Sequence, residues 1–171
     1  MPGFCPATAD GRARQPMRLP NTRFFCFREV DLEQVCRNRV RYRAMTKTAL
    51  IVEDEIFVAL DLERILTEAG YTVTAIAADR ETALAAAPEC GIAFVDVNLR
   101  DGPTGPDIAA RMARDYGVRC VFVTANPTQI GDGGGALGYI RKPFSDAAIL
   151  AAARLAGEGV APTNGDVVVL R

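Results

Sequence analysis

From Thr48 onward, short continuous runs of apolar residues alternate with stretches in which apolar residues recur at helical spacing. A continuous run such as Ala49–Val52 or Ile92–Val95 is typical of a strand that is covered on both faces. Segments rich in β-branched and aromatic residues indicate further strands. Strands are therefore predicted at 49–52, 71–76, 92–95, 118–123 and 138–141.

The intervening stretches predict helices. Apolar residues recur on one helical face between Val58 and Ala69, and Gly70 then ends that helix. The other predicted helices run from an N-cap at Asp79 to Pro88, from Pro106 in the first turn to Tyr116, and from an N-cap at Ser145 to about Leu155.

Strand–helix units of this length predict an α/β fold with helices on both faces of a parallel sheet. We expect a flavodoxin-like, doubly wound, five-stranded parallel sheet with strand order 2-1-3-4-5. Ligands of such folds bind beyond the carboxyl ends of the strands. Polar residues stand at four of these ends: Glu53 and Asp54, then Asp96, Thr124 and Lys142. These residues are therefore expected to converge at one rim of the sheet.

Acids, a hydroxyl and an ammonium together suit a phosphoryl group. The acids can hold a hard dication with room for water, as Mg²⁺ prefers. Phosphoryl transfer needs mainly positioning and charge neutralisation, and a carboxylate can be the nucleophile. Taken singly, each residue also has a structural interpretation as a helix cap, a β-forming threonine or a surface lysine. Their joint occurrence at successive strand ends favours the site.

The composition excludes several classes of protein. The 171 residues include no histidine, which excludes Ser-His-Asp triads, Cys-His dyads and His-ligated metals. The five cysteines form no CxxC pair and are odd in number, so we expect neither a disulfide framework nor a zinc site, and a reducing cytoplasm fits. No apolar run approaches the ~18 residues of a membrane helix, and we expect no secretory signal.

Residues 1–44 differ from the rest of the chain in charge. They hold nine arginines and no lysine against four acids, a net +5 in a chain of net −1. An arginine-rich arm could contact nucleic acid or an acidic surface, but the segment shows no core pattern. We interpret it as a poorly ordered extension or a mis-assigned start before Met45. The predicted organisation is an extension at 1–44, a domain at 45–156 and a short tail at 157–171.

Four motifs resemble the receiver domain of bacterial response regulators: VEDE, FVDVNL, FVTAN and YIRKPF, in this order. The resemblance covers about Thr48 to Leu155 and indicates a CheY-like receiver. It implies that Asp96 accepts a phosphoryl group from phosphohistidine on a histidine kinase or a histidine phosphotransfer protein. The chain has no histidine and cannot supply this donor itself.

The resemblance also implies a magnesium site. Asp54 and Asp96 would bind Mg²⁺, Glu53 would help through water, and the backbone carbonyl of Asn98 would complete the ligand set.

Further roles follow from the same resemblance. Lys142 would pair with Asp96 and then with the phosphoryl group. The Thr124 hydroxyl and the Ala125 amide would bind the phosphoryl oxygens, Thr124 would move inward, and Tyr139 would follow as an aromatic switch. The peptide bond after Lys142 resembles the family's cis bond, which costs little before proline.

One segment departs from the family pattern. The chain between Thr124 and Lys142 is shorter than is common and contains GDGGGALG at 131–138. Interior glycines each cost a helix roughly 1 kcal/mol relative to alanine, so the helix expected here is predicted to be short, displaced or mobile. We hypothesise that output depends on ordering of 126–138 when Asp96 is phosphorylated. The GxGxxG match within this stretch is weak because it precedes a strand.

The tail beyond the last helix is too short for an attached output domain. We therefore expect a stand-alone receiver that signals by contact with a downstream protein, rather than with nucleic acid or a membrane. Residues 166–170 predict either a small edge strand or a frayed end. Two alternatives stay open: a Mg²⁺-dependent phosphatase of the haloacid-dehalogenase type, which has a second acid where Asn98 stands, and a degenerate receiver that works unphosphorylated.

Overall fold

The computed structural model describes residues 47–163 and 165–170, which form one sheet with helices on both faces. The strands are β1 (Thr48–Val52), β2 (Thr72–Ala77), β3 (Ile92–Val95), β4 (Arg119–Thr124), β5 (Gly138–Arg141) and β6 (Val167–Val169). The helices are α1 (Ile56–Glu68), α2 (Arg80–Ala86), α3 (Gly105–Tyr116) and α4 (Asp146–Glu158), with 3-10 turns at Ala87–Glu89 and Pro127–Gln129. The extension predicted at 1–44 lies outside the described residues.

The sheet order is β2-β1-β3-β4-β5-β6. Strands β1 to β5 pair in parallel and reproduce the predicted order 2-1-3-4-5. The prediction of a five-stranded, wholly parallel sheet was wrong, because β6 adds to the β5 edge in antiparallel orientation. The tail thus forms the edge strand, which was one of its two predicted outcomes.

Strand burial on both faces explains the continuous apolar runs. Ala49 and Ile51 of β1 face the layer that contains α1 and α4, whereas Leu50 and Val52 face the layer that contains α2 and α3. All four are inaccessible to solvent. Successive side chains of a strand point to opposite faces, so a strand with helices on both sides needs apolar residues at every position.

Local signals set the helix ends. The Asp79 carboxylate accepts a hydrogen bond from the Thr82 amide at 3.0 Å, and the Ser145 hydroxyl accepts one from the Ala148 amide at 3.2 Å, so both act as the predicted N-caps. Gly117 ends α3 in the left-handed conformation, with φ of 69°. No helix in the described part of the chain combines the length and the apolar character needed to cross a membrane.

The segment between β4 and β5 contains only the 3-10 turn Pro127–Gln129 as helical structure. Four glycines then take positive φ, at positions 131, 133, 134 and 135. Other residues rarely adopt this conformation, and consecutive positive φ values are incompatible with an α-helix. Of the three predicted outcomes for this helix, which were short, displaced or mobile, the structure shows a short one, reduced to a single 3-10 turn.

Candidate functional site

Three of the predicted rim residues are in direct contact. The Lys142 ammonium nitrogen Nζ donates hydrogen bonds to Glu53 Oε2 at 2.7 Å and to Asp96 Oδ2 at 2.6 Å. Glu53 follows β1, Asp96 follows β3 and Lys142 follows β5. Because β4 lies between β3 and β5, the long lysine side chain must cross the end of β4 to reach both acids.

This cluster is shielded from water. Glu53 is 3% exposed and Asp96 is 9% exposed, while the Lys142 side chain is 16% exposed. Burial raises the pKa of Glu53 above its ordinary 4.5, although the hydrogen bond and charge of Lys142 oppose this. Burial lowers the pKa of Lys142, but its hydrogen bonds to Asp96 and Glu53 outweigh that effect, and the net pKa is raised. The ammonium is therefore charged at neutral pH.

The raised pKa of Glu53 predicts a pH dependence of stability. A carboxyl that binds its proton more tightly when folded contributes most stability below its unfolded pKa, and that contribution is lost as pH rises through the folded pKa. The margin, which is the free energy of unfolding of Glu53→Gln minus that of the wild type, is expected to increase from pH 4.5 toward neutrality. Urea unfolding in the presence of a chelator measures this margin. The exposed neighbour Glu55, changed to glutamine, is the control, and a margin independent of pH would contradict the assignment.

Thr124 ties the ends of β4 and β5 together. It is fully buried, its hydroxyl oxygen accepts from the Asn126 amide at 3.1 Å, and its carbonyl accepts from the Lys142 amide at 3.0 Å. Ala125, which follows it, is exposed at the same rim. The backbone of Thr124 therefore fixes where the Lys142 side chain begins, and the Lys142–Pro143 bond is cis.

The remaining predicted residues lie on the chain segments that carry this cluster. Asp54 is exposed directly after Glu53. The Asn98 amide donates to Asp96 Oδ1 at 3.3 Å, and its side chain donates to Gln129 Oε1 at 2.7 Å. Tyr139 is half-buried on β5. Gln129 was not predicted as part of this region, because an isolated polar residue in a short turn carries no pattern.

Gly105 brings α3 against the backbone that carries Asp96. A Cβ at this position would lie 2.1 Å from the Asp96 carbonyl oxygen and 2.7 Å from the Val97 Cα. The Gly105 amide also donates to the Val97 carbonyl at 3.1 Å. In the sequence, a glycine directly before Pro106 is compatible with an ordinary turn, whereas in the structure it allows the close approach of a helix to the site.

The donor atoms suit a hard cation by their chemistry. Glu53 and Asp96 present buried carboxylate oxygens, and Asp54 adjoins them at the exposed side. Across 47–163 and 165–170, no three acidic, histidine or cysteine side chains are grouped closely enough to hold a metal. The acids that the structure does bring together are bridged by the Lys142 ammonium.

The comparison with known families settles the class of the domain. Residues 49–154 match the response regulator receiver domain, and this range includes Glu53, Asp96 and Lys142. The chain belongs to this family. Receiver domains act in signal transduction by two-component systems.

The receiver domain has relatives among characterised regulators. The phyllosphere-induced regulator PhyR of Methylorubrum extorquens is 32% identical over 112 residues, which are 63% of this chain and 42% of PhyR. The transcriptional regulatory protein PdtaR of Mycobacterium tuberculosis is 30% identical over 118 residues, which are 66% of this chain and 58% of PdtaR. The matched region thus spans between 42% and 58% of these relatives.

A solved structure shows the same fold. The solution NMR structure of the PhyR receiver domain from Erythrobacter litoralis matches with a TM-score of 0.59 at 27% identity, covering 64% of this chain and 88% of that one.

Proposed function

We propose that the chain is a phosphoryl-accepting response regulator. Asp96 receives a phosphoryl group from phosphohistidine on a histidine kinase or a histidine phosphotransfer protein, and the chain then signals by contact with a downstream protein. The observation that supports this most directly is the Lys142 ammonium, 2.6 Å from the Asp96 carboxylate and held there by buried Glu53. The buried, unpaired thiols of Cys90 and Cys120 suit the reducing cytoplasm in which we place the reaction.

The transfer step uses groups that the site holds. An oxygen of Asp96 attacks phosphorus and the bond from phosphorus to the donor imidazole nitrogen breaks. The electron pair of that bond stays on the nitrogen, and the imidazole leaves as a neutral group because its other ring nitrogen carries a proton. Asp96 becomes an acyl phosphate. Lys142 balances the added negative charge, and the Thr124 hydroxyl, which already accepts from Asn126, carries a hydrogen to donate to a phosphoryl oxygen.

Magnesium would be held by Asp54, Asp96 and the backbone carbonyl of Asn98, with Glu53 acting through water. When bound, it neutralises charge on the phosphoryl oxygens. The Asn98 amide, which donates to Asp96 Oδ1, orients the nucleophile for this arrangement.

Labelling with a small acyl phosphate tests the proposal. We expect one phosphoryl group per chain, detected by intact mass, in the presence of Mg²⁺, and no incorporation when a chelator is added. Repeated turnover of phosphate esters would instead support the haloacid-dehalogenase alternative. Absence of incorporation from both the small donor and a phosphorylated histidine phosphotransfer protein would overturn the proposal.

An apolar patch beside the site suits docking of the protein donor. Ile56, Phe57 and Leu60 at the start of α1 are 56%, 81% and 48% exposed. A cavity of about 570 Å³ is lined by Phe57, Ala125 and Lys142, among other residues. Exposed aromatic side chains are frequent anchors of protein interfaces, and this one lines the same cavity as Lys142, the ion-pair partner of the proposed acceptor.

Changing Phe57 to serine should separate docking from chemistry. We expect transfer from a phosphorylated protein donor to slow by about tenfold, equivalent to about 1.4 kcal/mol, while labelling by the small acyl phosphate stays unchanged. Single-turnover transfer kinetics measure both rates. Tyr116→Ser removes an exposed aromatic residue at the far end of α3 and serves as control. Equal rates for Phe57→Ser and wild type with the protein donor would show that the patch is not used.

A further inference from the structure

The C-terminal strand β6 covers the edge of the sheet beside the site. Tyr139 of β5 pairs with Val168 in antiparallel register, and Gly138 pairs with Val169. Beyond the strand, the Leu170 amide donates to the Leu137 carbonyl at 3.0 Å. The tail therefore occupies the backbone hydrogen-bonding groups that β5 would otherwise present to a partner.

The β5 edge is shaped for close approach of another backbone. A Cβ at Gly138 would lie 2.6 Å from the Val168 carbonyl oxygen, a distance that no side chain can occupy without displacing the strand. A Cβ at Gly133 would lie 3.0 Å from a methyl carbon of Leu170. Gly138 in β5 and Gly133 before it thus leave room for the tail.

Strand β6 buries few apolar side chains against the rest of the domain. Val167 is buried, but Val168 and Val169 are 43% and 48% exposed. The described residues between α4 and β6, at 159–163 and 165–166, are exposed or half-buried, and Gly159 begins this connection in the left-handed conformation. A strand of three residues with one buried side chain has little apolar surface to hold it in place.

The covered edge is connected to the proposed acceptor site. Lys142 follows β5 directly, and its amide is bonded to the Thr124 carbonyl at 3.0 Å. Tyr139 stands in register between Phe122 of β4 and Val168 of β6. A rearrangement of Thr124 and Lys142 around a phosphoryl group has to be accommodated by β5, and β6 is the most weakly held neighbour of β5.

We propose that β6 is a displaceable plug, and that the β5 edge it covers binds an extended segment of a partner protein by strand addition. Phosphorylation of Asp96 shifts the population toward the state in which β6 has left the edge, a step that rests on the function proposed above. The partner segment has the chemistry of β6 itself, extended and apolar, with backbone groups that replace those of Val167–Val169.

Hydrogen exchange of the full chain tests the plug. Gly138→Ala should raise amide exchange in 166–170 by at least about tenfold, because the methyl group displaces the Val168 carbonyl. Gly165→Ala is a matched control, since a Cβ there would meet no atom within 4 Å. Phosphorylated wild-type chain should show the same increase in 166–170, and Asp96→Asn treated with the donor should not.

A peptide tests the edge. The probe is a fluorescent peptide with the sequence of residues 165–170, GDVVVL. Val167→Asp should release β6 but leave the edge intact, and should bind the probe at least about tenfold more tightly than wild type. The double variant Val167→Asp with Gly138→Ala should lose this gain, because the methyl group blocks the edge. Labelling of each variant by the small acyl phosphate checks that the domain is folded.

The outcomes separate the plug from the function on which it rests. Failure of the wild type to incorporate phosphoryl would defeat the proposed function, whereas labelled chain with unchanged exchange in 166–170 would defeat only the phosphorylation-driven release. Equal probe binding by Val167→Asp and the double variant, or unchanged exchange in Gly138→Ala, would overturn the strand-docking edge.

Discussion

Replacing Asp96 with asparagine should reduce phosphoryl incorporation by at least about a hundredfold, because removal of a catalytic nucleophile commonly costs far more than this. The amide has nearly the shape of the carboxylate but lacks the anionic oxygen that attacks phosphorus. Its oxygen can still accept from Lys142, which also keeps its bond to Glu53, so the fold should persist. Intact mass after incubation with the acyl phosphate and Mg²⁺ measures the effect.

The control for this substitution removes a carboxylate elsewhere. Asp107 is exposed in the first turn of α3 and pairs with Arg80, and Asp107→Asn should label as the wild type does. If Asp96→Asn were labelled as well as wild type, Asp96 would not be the acceptor, and the degenerate-receiver alternative or another acceptor would have to be considered.

Replacing Lys142 with methionine should lower both stability and labelling. Two buried carboxylates would lose their cation, and removing one partner of a buried ion pair costs about 3–5 kcal/mol. Because water can enter and hydrate the carboxylates, we expect the free energy of unfolding to fall by about 2–4 kcal/mol at neutral pH. Without the lysine, burial would raise the pKa of Glu53 with less opposition. The loss of stability should therefore shrink as pH falls and Glu53 binds a proton.

Urea unfolding at neutral and acidic pH measures this stability change. Arg141→Met is the matched control, because Arg141 precedes Lys142 and is exposed. A surface cation contributes about 0–1 kcal/mol, so the control should change little at either pH. If Lys142→Met were as stable as Arg141→Met at neutral pH, the acid cluster would not depend on the ammonium.

Strand order and strand ends were predictable from the sequence. Continuous apolar runs located the strands. The order 2-1-3-4-5 placed Asp96 and Lys142 at the same rim of the sheet, and the structure has them in contact there. The direct hydrogen bond between Glu53 and Lys142 was not predicted, because the resemblance implied that Glu53 contacts the metal ion through a water molecule. Which partner a buried carboxylate takes depends on side-chain distances that periodicity does not contain. The roles of these residues in phosphoryl transfer remain predictions.

Features that depend on contacts between distant segments could not be predicted. The run of valines at 167–169 is compatible with a strand or a frayed end, and the choice depends on whether a neighbouring backbone has room for it. Gly138 provides that room at the Val168 carbonyl, but a glycine in a strand looks the same in sequence whether or not another chain segment lies beside it. The sequence therefore left the strand and the frayed end as alternatives, and the structure shows the strand.

The packing of Gly105 also restricts how this protein can vary. The start of α3 lies so close to the Asp96 carbonyl that a single added methyl group would overlap it. A library that randomises position 105 and is sorted for intact phosphate uptake should return glycine almost alone, while substitutions at Gly165, which faces open space, should be widely accepted.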